Sequence, residues 1–224
     1  MSNEVGQFIV LEGIDGSGTT TQAELLKEVV ESRGREAVLT REPTTGPIGR
    51  FLRKALMGEL SSIDGEPVSL DWDSMALLFS ADRLDHVRSE IVPAIERGAV
   101  VISDRYDLSS LIYQSATSPL GPESLSWLSS LNERARRPDL TVVLNVSSEL
   151  AEQRRISRNG KEEIYEKSAL QRRLQGMYAR ASEFLPRDKI KIIQADGGIA
   201  EVQEKIVAAA RTCPEFAWIA CNEG

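Results

Sequence analysis

Histidine is nearly absent from this chain: His86 is the only one in 224 residues. That leaves a histidine-built metal site or a Ser-His-Asp triad with almost nothing to build on. Cysteine is scarce too. Cys213 and Cys221 are the only two, which reads as a pair of free thiols in a reducing compartment rather than a disulfide framework. No run approaches the roughly 20 apolar residues that a membrane-spanning helix needs. The opening residues MSNEVGQ lack the basic segment and apolar core of a secretory signal. The expectation is a cytoplasmic protein with no membrane association. An excess of basic residues is also missing, since 27 Lys and Arg face 34 Asp and Glu for a formal charge of -7. That balance disfavours nucleic acid as a partner, because such binding rests on neutralising phosphates. A local cluster of arginines can still hold a small phosphorylated ligand. Internal repeats, low-complexity tracts and interdomain linkers are missing as well, and the length suits one domain spanning 1–224.

What is present is a regular alternation of apolar runs and helical patterns. FIVL (8–11), EAVLT (36–40), AVVIS (99–103), DLTVVLNV (139–146) and KIKIIQAD (189–196) read as strands, most of them apolar enough to be buried on both faces. Between them lie helical patterns at 20–33, 48–57, 71–97, 107–116, 123–136, 147–158, from the charged stretch RNGKEEIYEK to about 182, and at 199–211. Gly34 is a stop signal for the first helix, and Pro93 introduces a bend or break in the long third one. Ser147 opens its helix with an N-cap signal. Alternating strands and helices give an α/β fold with a central parallel sheet of about five strands flanked by helices.

The stretch FIVLEGIDGSGTTTQ (8–22) carries the chemistry. The phosphate-loop pattern G-x-x-x-x-G-K-[ST] fits Gly13, Gly18 and Thr20, in the required order of buried strand, glycine-rich turn and helix. Backbone N–H groups of such a turn, with the helix dipole behind them, bind phosphate. Thr20 stands where a hydroxyl reaches Mg²⁺. Position 19, however, carries threonine where the pattern has lysine, so the loop has lost a cation. Asp104 and Arg105 follow a buried strand at the end where open α/β sheets bind ligands.

Five segments together resemble the thymidylate kinase family, nucleoside monophosphate kinases with a three-layer, P-loop NTPase-like sandwich. They are FIVLEGIDGSGTTTQ, LTREPTTGPIGRFLRKAL, LLFSADRLDHV, VVISDRYDLSSLIYQ and RRPDLTVVLNVSSELAEQRR, in order and at family spacing. The resemblance implies phosphoryl transfer from ATP to dTMP with Mg²⁺, a homodimer, and a lid at about 155–168. Gly13, Ile14, Asp15, Gly16, Ser17, Gly18, Thr19, Thr20 and Thr21 would then cradle ATP, with Thr20 and Asp104 near Mg²⁺. Phe79 would stack on the thymine ring, and Arg83, at i+4 on the same helix face, would bond its carbonyl edge. Arg53 and Arg105 would grip the acceptor phosphate, Asp15 and Glu42 would lie near the sugar and that phosphate, and Ser109, Ser110 and Gln114 would read the base beside Tyr113. Taken without the resemblance, Phe79 also fits plain core, Arg83 a surface ion pair, Tyr113 a structural position and His86 a solvated helix position.

The chain departs from that family in two places. Besides Thr19, no arginine occurs between Asn159 and Gln171, where a chain with Gly16 is expected to carry one in the lid. Arg154, Arg155 and Arg158 are the nearest arginines, and Arg158, at the helix-to-lid boundary, is the preferred substitute. Catalytic roles thus fall on Asp15, Arg105 and Arg158. Two alternatives stay open: a nucleotide-binding protein of the same fold with impaired turnover, and a kinase of another deoxynucleoside monophosphate.

Overall fold

The computed structural model describes residues 5–157 and 168–220. Five parallel strands form one sheet: β1 (Gln7–Glu12), β2 (Ala37–Arg41), β3 (Val100–Asp104), β4 (Leu140–Asn145) and β5 (Ile190–Gln194), in the spatial order β2-β3-β1-β4-β5. All six residues of β1 are buried, as a central strand covered on both faces must be. Its side chains alternate between two cores. Ile9 and Leu11 join Val100, Ile102 and Val142 on one face, under α1 (Thr19–Ser32), α5 (Asp107–Thr117), α8 (Ser168–Tyr178) and α10 (Ile199–Arg211). Phe8 and Val10 join Val101 and Tyr106 on the other, against Ile91 and Ala94. The result is the three-layer sandwich expected from the alternation.

The helices match the expected ones closely. Alpha-helix α1 ends at Ser32, with Gly34 at φ 78° just beyond it, where only a residue without a β-carbon sits comfortably. Helix α2 runs Pro47–Leu56. The long third pattern is α3 (Trp72–His86), a π turn (Val87–Ile91) and α4 (Val92–Glu96). Pro93 explains the π turn: it has no N–H, and its ring pushes away the carbonyl four residues back, so the turn before it widens. Helices α6 (Ser124–Asn132), α7 (Ser148–Ile156) and α9 (Ala181–Phe184) complete the set. Ser147 is the N-cap of α7, but its side chain makes no capping bond. A 3-10 segment, Pro214–Ala220, packs on α10 and buries the free thiol of Cys213; the sequence pattern gave no sign of it. No described helix is long and apolar enough to cross a membrane.

This topology makes the site. Chain order reverses direction across the sheet at β1, which has β3 on one side and β4 on the other. The carboxyl ends of β1 and β3 therefore open a crevice at the point where ligands bind in open α/β folds. Register sets Leu11 opposite Asp104, so the turns after both strands leave the sheet side by side. The larger core holds this edge in place. Leu26, 1% exposed, joins α1 to it. Leu26→Ala is expected to lower unfolding free energy by about 2–5 kcal/mol, measured by urea denaturation.

Candidate active site

After Glu12 the chain turns through Gly13–Gly18 into α1. Gly18, its N-cap, has φ 97° and Gly16 has φ 89°, a left-handed path that suits glycine. Gly16 has a second reason to be glycine: a β-carbon there would lie 2.3 Å from the Ala151 carbonyl oxygen in α7. Beside the loop lies a cavity of about 350 Å³ that takes Asp15, Gly16, Gly18, Thr19 and Thr20 from it. Of the other expected loop residues, Ile14 is buried in the core at 2% exposure, and Gly13, Ser17 and Thr21 do not line the cavity.

Besides Asp15 the cavity brings together every other acceptor-side residue expected, Glu42, Arg53, Phe79, Arg83, Arg105, Ser109, Ser110, Tyr113 and Gln114, and with them Asp104, expected near the metal. Arg105 lies just past β3 with φ 72°, a costly conformation for a residue with a side chain. Its guanidinium donates to Gly13 O at 2.8 Å, Asp15 Oδ1 at 2.6 Å, and the Ser109 and Tyr113 hydroxyls at 3.3 Å. It thus ties the phosphate loop to α5. Arg53 on α2 donates to the Pro43 carbonyl. Phe79 is half-buried against Leu52, Leu56 and Met75, with its ring on the cavity wall. The Gln114 side-chain nitrogen is buried with no partner among the described residues, a donor left over for a ligand.

Arg83 is not a surface ion pair. It is 1% exposed, 2.7 Å from Glu42 Oε2, and donates to Ser110 Oγ at 2.8 Å and to Asn132 Oδ1. His86, expected to be solvated, is also 1% exposed and sits 3.0 Å from Glu42 Oε1 and 2.7 Å from Thr40 Oγ1. The reason is one helix face. Asp82, Arg83 and His86 all turn inward from α3, and Asp82 accepts from the backbone and hydroxyl of Thr44 at 2.8 and 2.6 Å. A polar face that would be solvated on an isolated helix here supports the 40–44 segment from below. Ser109 and Ser110 have their hydroxyls engaged, one by Glu12 and the other by Arg83.

A metal ion finds two oxygens here. Thr20 Oγ1 donates to Asp104 Oδ2 at 2.5 Å, and Asp104 Oδ1 is buried with no partner among the described residues. Among the described residues no group of three or more His, Cys, Asp or Glu side chains is arranged to hold a metal ion. One hydroxyl and one carboxylate fit Mg²⁺, which keeps several waters and takes its remaining ligands from substrate phosphates.

Three residues that brace the site, Glu12, Gln171 and Tyr178, were given no role by the sequence, and Arg155 stood there only as a neighbour of the preferred Arg158. Glu12, fully buried, accepts from the N–H groups of Tyr106 (2.9 Å) and Ser109 (3.1 Å), and from the hydroxyls of Ser109 (2.6 Å) and Tyr178 (3.0 Å). Gln171 on α8 grips Asp15 twice, accepting from its N–H at 3.2 Å and donating to Oδ2 at 2.7 Å. Arg155 lines the cavity from α7. Gln171, Leu174 and Tyr178 are spaced i, i+3, i+7 on one face of α8, the single pattern that marks them in the sequence. Arg158 and most of the expected lid, 158–167, lie outside the described residues; Arg155–Ser157 belong to the end of α7 and its cap.

Burial pushes the Glu12 carboxyl up to about 7, against the opposing pull of Ser109, Arg105 and the Tyr106 N–H. The folded chain therefore holds this proton more tightly than the unfolded chain does. The resulting stabilisation is complete below the ordinary value of 4.5 and is lost as pH rises through about 7. Glu12→Gln carries no such titration. The unfolding free energy of wild type minus that of Glu12→Gln is expected to fall between pH 5 and pH 8, by an amount of the order of 3 kcal/mol. Urea denaturation across that range measures it, and a flat difference would refute it.

With this geometry in view, the comparisons are specific. Residues 11–206 match the pattern of the thymidylate kinase family. A Pyrococcus abyssi protein named "Probable thymidylate kinase" is 42% identical over 206 residues, covering 92% of this chain and 96% of that one. A thymidylate kinase of Caldicellulosiruptor saccharolyticus is 36% identical over 203 residues, covering 90% and 94%. The solved structure of a thymidylate kinase from Candida albicans superposes with a TM-score of 0.78 at 25% identity, covering 94% of this chain and 93% of that chain. A phosphate loop, a neighbouring arginine-rich cavity and matches along nearly the whole length have one meaning: this chain belongs to the thymidylate kinase family.

Proposed function

We propose that this chain transfers the γ-phosphoryl group of ATP to dTMP. The observation that carries the reading is the shared cavity, in which a phosphate loop meets a wall bearing Phe79, Gln114, Arg53 and Arg105. The loop end takes ATP and the arginine end takes the monophosphate. Phe79 offers its ring to thymine, and Arg83 and the spare Gln114 donor face its carbonyl edge. Tyr113, 7% exposed, packs beside the sugar, while burial pushes its phenol to a higher pKa and keeps it neutral. Forked guanidinium donors suit a phosphate dianion.

An acceptor phosphate oxygen attacks the γ-phosphorus in line. That oxygen is already ionised near neutral pH, so the protein contributes position and charge rather than a strong base. Arg105 serves both halves, since it steadies Asp15 in the loop and faces the acceptor. Thr20 and Asp104 would hold Mg²⁺, which when bound neutralises charge on the β- and γ-phosphate oxygens. The same reading includes one nucleoside monophosphate kinase domain over 1–224 with a lid at about 155–168, a cytoplasmic location, and a homodimer. Support for the dimer comes from Leu77 and Leu84, 51% and 39% exposed and seven residues apart on α3.

A coupled ADP-release assay with dTMP, dUMP, dCMP and dGMP tests the reading. Fastest turnover with dTMP is expected. Preference for another acceptor would overturn the substrate, and absent turnover with all four would overturn the activity. Phe79→Ala is expected to raise KM for dTMP about tenfold or more, from lost stacking on the base, with a smaller change in kcat. An unchanged KM would remove Phe79 from the base site.

A further inference from the structure

The donor end of the cavity has a deficit of charge. The lysine of the phosphate-loop pattern reaches the β- and γ-phosphates, and Thr19 stands in its place with a neutral side chain. Five arginines line the cavity: Arg41, Arg53, Arg83, Arg105 and Arg155. Arg53, Arg83 and Arg105 are bonded at the acceptor wall, to Pro43 O, to Glu42 and Ser110, and to Asp15, Ser109 and Tyr113. Arg41 ends β2 on that same side, next to Glu42.

Arg155 arrives from the opposite direction. It stands in the last turn of α7, half-buried, and its Nη1 donates to the Asp15 carbonyl at 3.2 Å. Its Cγ lies 3.1 Å from the point where a β-carbon on Gly16 would stand. The Ala151 carbonyl one turn earlier is closer still, at 2.3 Å from that point. Helix α7 is thus pressed against the loop, and the space next to Gly16 belongs to the Arg155 stem. Its neighbour Arg154 does not line the cavity and is consumed by structure. It donates to the carbonyls of Ser17 (3.4 Å), Ala195 (3.2 Å) and Gly197 (3.4 Å), bracing α7 against the loop and the turn after β5.

Charge pairing separates Arg155 from Arg83 and Arg105 of the acceptor wall. Arg83 and Arg105 each have a carboxylate within 2.7 Å. Among the described residues Arg155 has one hydrogen bond, to a neutral carbonyl, and no ion pair. A half-buried guanidinium without an anion keeps N–H groups ready for one that a ligand brings. The single bond to Asp15 holds it at the loop and leaves its other N–H groups for phosphate oxygens.

We propose that Arg155 is the cation missing from the phosphate loop, a donor-phosphate ligand delivered by α7 in place of a lysine at position 19. The proposal rests on the reading of this site as an ATP-dependent kinase. As the acceptor oxygen bonds to the γ-phosphorus, the bond from phosphorus to the β,γ-bridging oxygen breaks and its electron pair stays on ADP. Arg155 gives up no proton and offsets the charge moving onto those oxygens.

Steady-state ADP release at saturating dTMP, with calorimetric dTMP binding alongside, decides the matter. Arg155→Ala is expected to lower kcat about 10²-fold, with dTMP affinity within about twofold of wild type. Thr19→Lys added to Arg155→Ala is expected to restore about tenfold or more, and to gain less in the wild-type background, because the two cations then serve one charge. Turnover of Arg155→Ala within about threefold of wild type would overturn the proposal. So would a double variant no faster than Arg155→Ala, or loss of dTMP binding, which would make Arg155 a brace for the loop. Absent wild-type turnover would instead strike the kinase reading, and the proposal with it, so the two failures are told apart by which protein is inactive.

Discussion

The site depends on one buried carboxylate. Glu12 is the last residue of β1, and its two oxygens take four donors, from Tyr106 just before α5, from Ser109 in the first turn of α5 and from Tyr178 of α8. Fixing the Tyr106 N–H is what makes the left-handed Arg105 tenable, since a strained residue persists only where its neighbours over-determine it. Arg105 can then reach back to Gly13 and Asp15. The donor loop and the acceptor wall are therefore not two independent halves. They share a frame in which the end of one strand determines the turn after its neighbour. Gln171 closes the frame from the far side by gripping Asp15.

Charge is distributed on the same plan. The protein carries -7 overall, yet its cavity is lined by five arginines against the carboxylates of Asp15, Glu42 and Asp104. Such a local excess draws in phosphorylated ligands without making the surface basic. Paired arginines are also pre-positioned ones: Glu42 holds Arg83, and His86 and Thr40 hold Glu42 and His86 in turn. The Arg83–Glu42 pair is buried on both sides, at 1% and 4% exposure, so it limits rotamers more than it adds stability.

Much of this could be read from residues alone. The strands were legible because both faces of a central parallel strand need apolar side chains, and FIVL and VVI have nothing else. The loop was legible because its glycines fall at fixed spacing. The acceptor wall came from resemblance, and the cavity does collect Phe79, Arg83, Arg105 and Gln114. His86 was misjudged for a physical reason: a lone polar residue on a charged helix looks solvated until the 40–44 segment is laid across it. Gln171 and Tyr178 lie more than 150 residues from Asp15 and Glu12, and no local pattern reports a contact at that range. The tightness of α7 on Gly16 is equally invisible, because the sequence shows only that a glycine is there.

The loop itself supplies no full positive charge. Its binding power comes from backbone N–H groups, the start of α1 and the Thr20 hydroxyl, all of which act on a bound nucleotide before and during transfer alike. Uniform binding of that kind lowers KM without raising kcat. Charge that responds to the migrating phosphoryl group has to come from arginines, and these are carried by β2, α2, α3, the turn after β3 and α7 rather than by the loop. Loss of the loop lysine therefore does not separate binding from catalysis by damage. It moves the catalytic charge onto neighbouring elements, whose packing against the loop, above all that of α7 on Gly16, becomes part of the chemistry.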